Sequence, residues 1–239
     1  MAGRIHVGIG GWDYEPWRGT FYPAGLAKAK QLEFASRALT AIEVNATFYR
    51  LQSADSFARW AATVPDGFKF AIKGSRFCTN RKILGEAGEA IGRFCGQGLD
   101  ALGDRLGPIL WQLAGTKKFD PDEIAAFLDL LPREVGGRQL RHAIEAEHES
   151  FRDPSFAALA EEAGVAIAYP EPVPGAGFVY ARLKNAREDE PLGYASEELD
   201  TLAARARAWA DQDLDVFLFF IGAAKVRNPA AAQALIARL

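Results

Sequence analysis

The sequence predicts a single (β/α)8 barrel of the TIM type, with eight parallel strands and with the helix between strands six and seven missing or reduced. Three observations lead to this prediction. Eight short apolar runs recur along the chain, the stretches between them repeat apolar residues every 3.6 positions, and no linker or internal repeat divides residues 1–239. An open doubly wound sheet is the alternative architecture.

The eight apolar runs are rich in β-branched residues, as strands are. Between the sixth and seventh runs only Pro170 to Gly177 remain, with three prolines, which is too short for a crossover helix. We therefore expect the ring of helices to be incomplete there. The predicted strands are Arg4 to Gly10, Ala41 to Asn45, Phe68 to Gly74, Pro108 to Leu113, Leu140 to Glu147, Val165 to Tyr169, Phe178 to Leu183 and Asp215 to Ile221.

Helices are predicted from one-sided apolar stripes and from their starts. The pairs Asp120-Pro121, Asp153-Pro154 and Asn228-Pro229 each place a capping side chain before a proline suited to the first turn. The stretch from Glu86 to Leu106 contains five glycines, each costing up to about 1 kcal/mol in a helix. It still keeps a helical stripe and is predicted as a helix. The stripes are Phe57 to Val64, Ile124 to Leu131, Leu199 to Trp209, and Ile91, Phe94, Leu99 and Leu102.

Composition excludes several functional classes. The chain carries 28 Lys and Arg against 31 Asp and Glu, so the formal charge is −3 and no global positive field favours nucleic acid. It offers neither a signal peptide nor eighteen consecutive apolar residues, so we predict a cytoplasmic protein with no membrane partner. Cys78 and Cys95, with three scattered histidines, give no zinc signature and are predicted to be buried thiols. The oligomeric state stays open.

The loop from Gly11 to Pro23 is the most unusual segment, because it carries five aromatic residues directly after the first strand. So much ring surface either caps a core or lines a pocket whose occupant stacks on the rings. We favour the pocket wall, with Trp12, Tyr14 and Trp17 covering a ligand.

Polar residues recur at the carboxyl ends of five strands, on the parity that faces the barrel interior. Functional groups of such barrels collect at this end. We expect one charged cluster, which serves either as a salt-bridge layer that fixes the interior or as a ligand site. Its members are Glu43 and Asn45, Lys73, Gln112, Glu145 and Glu147, and Tyr180 and Arg182, with Lys184 just beyond.

Motifs for cofactors are weak. Gly8 and Gly10 resemble the start of a dinucleotide loop, but Asp13 stands where a third glycine is required, and neither a P-loop nor a serine-hydrolase elbow occurs. The three glutamates could hold a divalent cation through oxygen ligands. Nothing else supports a metal, and we predict no cofactor. His148, just after strand five, is either a loop histidine or a catalytic group at the barrel mouth.

Several segments together resemble the domain-of-unknown-function family 72. They are Gly11 to Pro23, Val44 to Arg50, Phe70 to Phe77, and Leu102 to Pro108 leading to Gln112. The resemblance spans nearly the whole chain and implies a TIM-type barrel, loosely related to sugar isomerases, of unassigned activity. It carries over to Trp12, Tyr14, Trp17, Glu43, Asn45, Thr47, Tyr49, Lys73, Arg76, Gln112, Glu145, His148 and Arg182.

The chain departs from that family's pattern at four places. Glu147 stands where the family has an arginine, and Lys184 where it has a histidine. Ile221 and Gly222 replace asparagines at the end of strand eight, and Ala114-Gly115 replaces a pair of prolines. Polar roles at a reaction centre rarely pass to isoleucine, so these changes bear on whether the family's activity persists here.

Two functions follow from these observations. The first is an enzyme or binding protein for a small polar or anionic metabolite, sugar-like or phosphorylated, held at the carboxyl mouth of the barrel. The second is a catalytically degenerate barrel that binds a ligand or a protein. For acid/base chemistry we expect Lys73 to keep its proton near carboxylates, and Glu147 to raise the proton affinity of Glu145. The candidate catalytic residues are Lys73, Glu145, Glu43 and His148, and the candidate ligand-binding residues are Trp12, Tyr14, Trp17, Asn45, Tyr49, Arg76, Gln112, Glu147, Tyr180 and Arg182.

Overall fold

The computed structural model describes residues 2–239 and contains the eight expected strands in one parallel sheet. Apart from one exact match, their bounds differ from the predicted ones by a few residues at either end. The strands are β1 (Ile5–Gly10), β2 (Ala41–Val44), β3 (Lys69–Lys73), β4 (Leu106–Gln112), β5 (His142–Glu145), β6 (Ala166–Tyr169), β7 (Phe178–Leu183) and β8 (Asp215–Phe220). A two-stranded hairpin, Glu134–Val135 with Arg138–Gln139, precedes β5.

The sheet curls into a nearly closed barrel. Its strands are hydrogen-bonded in the order β6-β5-β4-β3-β2-β1-β8-β7. Strand β1 pairs with both β2 and β8, so the first strand of the chain is hydrogen-bonded to the last. The two end strands, β6 and β7, lie side by side, but no strand pairing joins them within residues 2–239. The barrel prediction is therefore confirmed, and the open sheet is excluded.

The gap between the unpaired edges of β6 and β7 is called the seam here. The short segment that connects these two strands fills part of it. Val173 exchanges two backbone hydrogen bonds of 3.0 Å with Ile167, on the edge of β6 that β5 does not use. The N–H of Gly175 donates to the carbonyl of Phe178 at the start of β7. A loop that forms backbone hydrogen bonds with both β6 and β7 thus takes the place of the crossover helix. The predicted gap in the ring of helices is confirmed.

Seven helices of eight or more residues surround the barrel in the part of the chain that the structure describes. Within the same part, no helix has the length and apolar character needed to cross a bilayer. The helices are α1 (Gln31–Ala38), α2 (Ala54–Thr63), α3 (Gly88–Cys95), α4 (Pro121–Asp129), α5 (Pro154–Glu162), α6 (Ser196–Ala210) and α7 (Asn228–Ile236); single turns lie at Ala46–Tyr49 and Arg76–Thr79, and 3-10 turns at Glu15–Trp17, Lys28–Lys30, Leu84–Glu86, Leu99–Arg105 and Glu149–Arg152.

Two of the three predicted helix caps form. Asp120 accepts from the N–H of Glu123 at 3.0 Å, and Asp153 accepts from the N–H of Ser155 at 2.9 Å. The third prediction is wrong, since α7 already begins at Asn228. The amide of Asn228 instead donates to the carbonyl of Gly222 at 3.4 Å.

The predicted helix from Glu86 to Leu106 is correct only in its first part. Helix α3 ends at Cys95, and Gly98 takes a left-handed conformation with φ 102°. Residues 99–105 then form 3-10 turns, interrupted at Gly103 with φ 58°. A side chain at Gly98 would also press on Ala54, 2.6 Å away, so this glycine is fixed by packing as well as by its backbone.

The barrel interior is filled unevenly. Strands β2, β3, β5 and β6 contribute inward alanines and β4 contributes a leucine, whereas β7 and β8 contribute four aromatic rings. Gly8 is needed for this arrangement, because a Cβ there would lie 2.0 Å from the carbonyl oxygen of Ala41. The interior residues are Ala41, Ala71, Leu110, Ala143, Ala166, Ala168, Phe178, Tyr180, Phe217 and Phe219.

A second charged layer closes the amino-terminal end of the barrel. Arg141 pairs with Asp215 at 2.7 Å and lies over the ring of Phe217. Half-buried Lys69 donates to the carbonyl of Asp104 at 2.5 Å. His6 stacks on Phe217 with ring centroids 4.9 Å apart, and neither of its ring nitrogens has a hydrogen-bond partner among the described residues.

We expect His6 to make the protein sensitive to mild acid. Burial, with Lys69 and Arg141 nearby, lowers the pKa of His6 to about 4, although Asp215 and the Thr40 backbone oppose this. The unfolded chain therefore binds more protons between pH 6.5 and 4, and stability falls as the pH falls through that window. From pH 7 to 4.5 the loss due to His6 is about 2 kcal/mol.

The substitution His6→Phe keeps the stacked ring and removes the titration. Urea unfolding of both proteins at pH 7 and 4.5 measures the difference. The variant should lose about 2 kcal/mol less than the wild type over this interval. Equal losses in both proteins would contradict the assignment to His6.

Candidate functional site

The guanidinium of Arg182, near the end of β7, lies at the centre of the charged cluster at the carboxyl end of the barrel. Its Nε and Nη2 donate to the two oxygens of Glu43, both at 3.0 Å, and its Nη1 donates to Glu145 at 2.6 Å. The side chains of both glutamates are fully buried, and that of Arg182 is 3% exposed. The ions therefore neutralise one another in a nearly dry interior.

Three further groups complete the hydrogen bonds of the two buried carboxylates. The hydroxyl of Tyr180 donates to Glu43 at 2.8 Å, and the amide of Gln112 donates to Glu145 at 2.7 Å. Lys184 donates to Glu145 at 2.5 Å and also pairs with Glu147. The convergence of charged groups that the strand parity predicted is confirmed.

The electrostatics correct two expectations about the cluster. Burial alone would raise the pKa of Glu145, but Arg182 and Lys184 outweigh it and lower that pKa, so Glu145 is not a base tuned towards neutrality. Burial also opposes the charge on Arg182, yet Glu43 and Glu145 raise its pKa. Each of the three nitrogens of Arg182 donates to a buried carboxylate, so its charge is already balanced within the cluster. Burial and Glu43 raise the pKa of Tyr180, which stays neutral.

Lys73, at the end of β3, differs from its charged neighbours. Among the described residues its ammonium has neither a hydrogen bond nor an ion pair, and it lies over the ring of Phe48, 4.4 Å from the centroid. The side chain is half-buried, and its nitrogen is not sealed from solvent. Burial lowers the pKa of Lys73, and Glu43 offsets this only in part. Burial therefore outweighs the neighbouring carboxylates in setting the direction of this pKa shift.

The turn Ala46–Tyr49 holds Phe48 over Lys73. The buried hydroxyl of Thr47 contacts the carbonyls of Val44 at 3.0 Å and of Lys73 at 2.7 Å, which ties the turn to the end of β3. Neither Thr47 nor Phe48 was predicted to position the lysine. Their place directly after the second strand was the available signal, since loops that follow barrel strands form the mouth.

Asn45 and Ile221 meet above Gly10 at the floor of the mouth. A Cβ on Gly10 would lie 2.9 Å from the amide nitrogen of Asn45 and 2.9 Å from Cδ1 of Ile221. The glycine therefore allows the side chains that end β2 and follow β8 to approach the first strand. Asn45 is half-buried.

The aromatic loop is largely part of the core. Trp17 is fully buried, and its Nε1 donates to the carbonyl of Lys225 at 2.9 Å. Trp12 packs edge-on against Trp60 of α2 and against the outward ring of Phe70. The structure thus places both tryptophans between the barrel and its helices instead of over the cluster, and the pocket-wall interpretation is wrong for them.

Tyr14 is half-buried beside this packed core, and the ammonium of Lys225 lies 4.1 Å above its ring. Lys225 has no ion pair or hydrogen bond from its ammonium within residues 2–239. Lys225 was missed at the sequence level. Its position in the loop after β8, at the same end of the barrel as Lys73, was the signal that could have found it.

Three other candidates lie around the cluster and not in it. Tyr49 is 62% exposed on the rim, and exposed Arg76 stacks on the ring of Phe77. His148 is half-buried and caps a 3-10 turn, because its Nδ1 accepts from the N–H of Ser150 at 3.2 Å. Its position supports the interpretation as a loop histidine.

The seam between β6 and β7 leads from the outside of the barrel to the cluster. A groove of about 340 Å³ is lined by outward Leu183, by Trp209 of α6, and by the inward side chains Arg182 and Lys184. The ring of Tyr169 lies at this opening, 4.2 Å from the ammonium of Lys184. The missing helix therefore leaves a lateral approach to the cluster.

The carboxylates are arranged for ion pairing. In residues 2–239 no group of three His, Cys, Asp or Glu side chains has a geometry that could hold a metal ion. The three glutamates considered as cation ligands each contact Arg182 or Lys184. Cys78 and Cys95 are buried, free thiols, as predicted, and burial raises the pKa of Cys78 to about 11.

Two departures from the family pattern compensate each other. Glu147 and Lys184 form an ion pair at the edge of the cluster, so the acidic and the basic replacement balance in charge. Gly222 also fits its surroundings, because a Cβ there would lie 2.5 Å from that of Ala186. The altered positions thus form an ordered arrangement of their own.

The fold and the polar groups at the carboxyl ends of its strands define a TIM-type barrel protein. The model of the family described as "Protein of unknown function DUF72" matches residues 6–239, so the chain belongs to the DUF72 family. A curated relative, UPF0759 protein YunF of Bacillus subtilis (strain 168), is 31% identical over 70 residues, which is 29% of this chain and 23% of that protein.

Solved structures agree with the fold. Two crystal structures of a DUF72 family protein from Enterococcus faecalis V583 match with TM-scores of 0.68 and 0.66, at 18% and 15% identity; they cover 97% and 99% of this chain and 93% and 98% of theirs. A xylose isomerase-like TIM barrel/4-hydroxyphenylpyruvate dioxygenase fusion protein matches with a TM-score of 0.54 at 16% identity, over 96% of this chain and 41% of its own. At these low sequence identities, the structural similarity shows the fold and nothing further about function.

Proposed function

We propose that the protein binds a small polar or anionic metabolite, sugar-like or phosphorylated, at the carboxyl mouth of its barrel. The observation that carries this proposal is the unpaired ammonium of Lys73 within a cluster whose other charges are paired. A half-buried cation without a counter-ion is costly, and an anionic ligand would relieve that cost.

The surroundings of Lys73 fit such a ligand. Asn45 supplies an amide at the floor of the mouth, and Lys225 supplies a second unpaired ammonium at the same end of the barrel. The rigid network around Arg182 would hold the neighbouring strand ends in place. In this proposal Glu43, Glu145, Tyr180 and Gln112 position the site, and Lys73, Asn45 and Lys225 contact the ligand.

A thermal-shift panel of small phosphates, carboxylates and sugar phosphates tests this proposal. At least one compound should raise the melting temperature of the wild type, since a ligand that binds only the folded state stabilises it. Lys73→Met should weaken binding of that compound at least tenfold, which is about 1.4 kcal/mol.

Lys69→Met is the matched control. Lys69 lies on the same strand and parity, but its ammonium is at the other end of the barrel and donates to a backbone carbonyl. This variant should keep the affinity of the wild type. Equal affinities of all three proteins for every stabilising compound would refute the proposed site.

A second function, binding without turnover, is favoured by one specific observation. Glu145 accepts hydrogen bonds from Arg182, Lys184 and Gln112, and its lowered pKa leaves it a poor base. A barrel with this carboxylate can bind a ligand yet lack a proton acceptor. The variant Lys184→His removes one permanent cation from Glu145. Turnover that isotope-traced metabolite profiling finds only in this variant supports the second function, and turnover by the wild type excludes it.

A further inference from the structure

The end of β3 presents a lysine with the features of a nucleophile. Its ammonium lies against the ring of Phe48 and retains solvent contact, and it makes no hydrogen bond in the described chain. The charged groups around it, in contrast, are tied to one another by Arg182 and Lys184. A nucleophilic amine needs a free lone pair and an open approach, and Lys73 has both once it loses its proton.

Its surroundings favour loss of that proton. Burial is the main cause of the lowered pKa of Lys73, and the positive charges of Arg182 and Lys184 add to it. A neighbouring cation and partial desolvation are the means by which a lysine amine becomes reactive near neutral pH. Glu43 acts in the opposite direction, but its two oxygens are already engaged by Arg182 and Tyr180.

We propose that Lys73 forms an imine with a small carbonyl compound, an aldehyde or a ketone, at the mouth of the barrel. This inference rests on the proposed function and names the substrate class of the same site. The neutral amine attacks the carbonyl carbon, and the carbonyl electron pair passes to oxygen. The resulting carbinolamine loses this oxygen as water, together with the two hydrogens of the amine, and a C=N bond remains. No oxidant or reductant is needed.

The charge of the cluster accommodates the adduct. A protonated imine carries the same positive charge as the ammonium that it replaces, so the balance with Glu43 and Glu145 is kept. The fixed carboxylates also stabilise this cation without reorganising. Thr47 contributes as a positioning residue, since it fixes the backbone of Lys73 and the turn that carries Phe48.

Reductive trapping tests the imine on the intact protein. The wild type is incubated at pH 7.5 with glycolaldehyde or pyruvate and sodium cyanoborohydride, and peptide mapping by mass spectrometry gives the rate of adduct formation at each lysine. We expect Lys73 to be modified several-fold faster than exposed Lys28, because its lowered pKa leaves a larger share of the amine unprotonated. Equal rates would overturn the proposal.

Two comparisons separate this inference from the proposed function. Lys69 is an interior lysine whose pKa is also lowered by burial, but its nitrogen donates to Asp104. It should react no faster than Lys28, and fast reaction there would show that burial alone produces the effect. Lys73→Arg cannot form an imine, so the adduct at this position should disappear. A thermal shift of the wild type with an anionic ligand but without any wild-type adduct refutes the imine alone, whereas absence of both refutes the binding site as well.

Discussion

Replacing Arg182 by methionine should lower the free energy of unfolding by about 3–5 kcal/mol, because buried Glu43 then has no counter-ion and buried Glu145 loses one of its two. Glu43 loses both of its ionic hydrogen bonds, and Glu145 loses one and keeps Lys184. Methionine keeps the aliphatic part of the side chain and removes the charge. Urea unfolding at pH 7 measures it.

Arg187→Met is the matched control, since Arg187 pairs with Glu198 at the surface and its side chain is 40% exposed. Its loss should stay below about 1 kcal/mol. The deficit of Arg182→Met should shrink as the pH falls, because the abandoned carboxylates then take up protons more readily in the folded state than in the unfolded one. A deficit below 1 kcal/mol, or one that grows in acid, would show that the network is not held by Arg182.

The barrel could be predicted because its signals are local. Each strand is a short apolar run, and the absence of a helix after β6 follows from the eight residues and three prolines that are available there. The caps at Asp120 and Asp153 are also local, since each side chain bonds to an N–H within three residues. The cap at Asn228 failed because the helix already begins at this residue, and its amide nitrogen donates to the carbonyl of Gly222, six residues away.

The members of the candidate site were predictable from strand parity, but their pairing was not. The alternation of residues along each strand predicts that Glu43, Lys73 and Arg182 all point into the barrel. It gives no information on the distances between their side chains. Which cation each carboxylate takes depends on the register between strands and on the reach of each side chain. The sequence therefore could not show that Arg182 is paired with two carboxylates while Lys73 has no counter-ion, and this difference is the basis for assigning the ligand to Lys73.

The aromatic loop shows the same limit. An aromatic cluster on the surface and one in the core have the same composition, and only the packing partner distinguishes them. Trp12 packs against Trp60 of α2, which lies about fifty residues further along the chain. Trp17 donates a hydrogen bond to the backbone of Lys225. Neither contact leaves a periodic signal in the sequence.

Truncation of Trp17 to alanine should therefore destabilise the protein by about 3–5 kcal/mol, the cost of removing a large buried ring. The ring is fully buried and packs edge-on against Tyr14, Phe21 and Tyr22. Trp17→Phe keeps much of this packing and loses the hydrogen bond to Lys225, so its loss should be smaller. Chemical denaturation of the ligand-free proteins gives both values.

Trp209→Ala provides the comparison, because Trp209 is half-buried on α6 and its ring carries Arg205 at 4.5 Å. Its loss should be clearly smaller than that of Trp17→Ala, since less of its ring leaves water on folding. If Trp17 were instead a platform for a ligand, its truncation would leave the ligand-free protein almost as stable as the wild type and would abolish the thermal shift produced by the ligand. That outcome would support the interpretation of the loop as a pocket wall. A large loss of stability in the absence of ligand would instead identify the loop as a cap of the core.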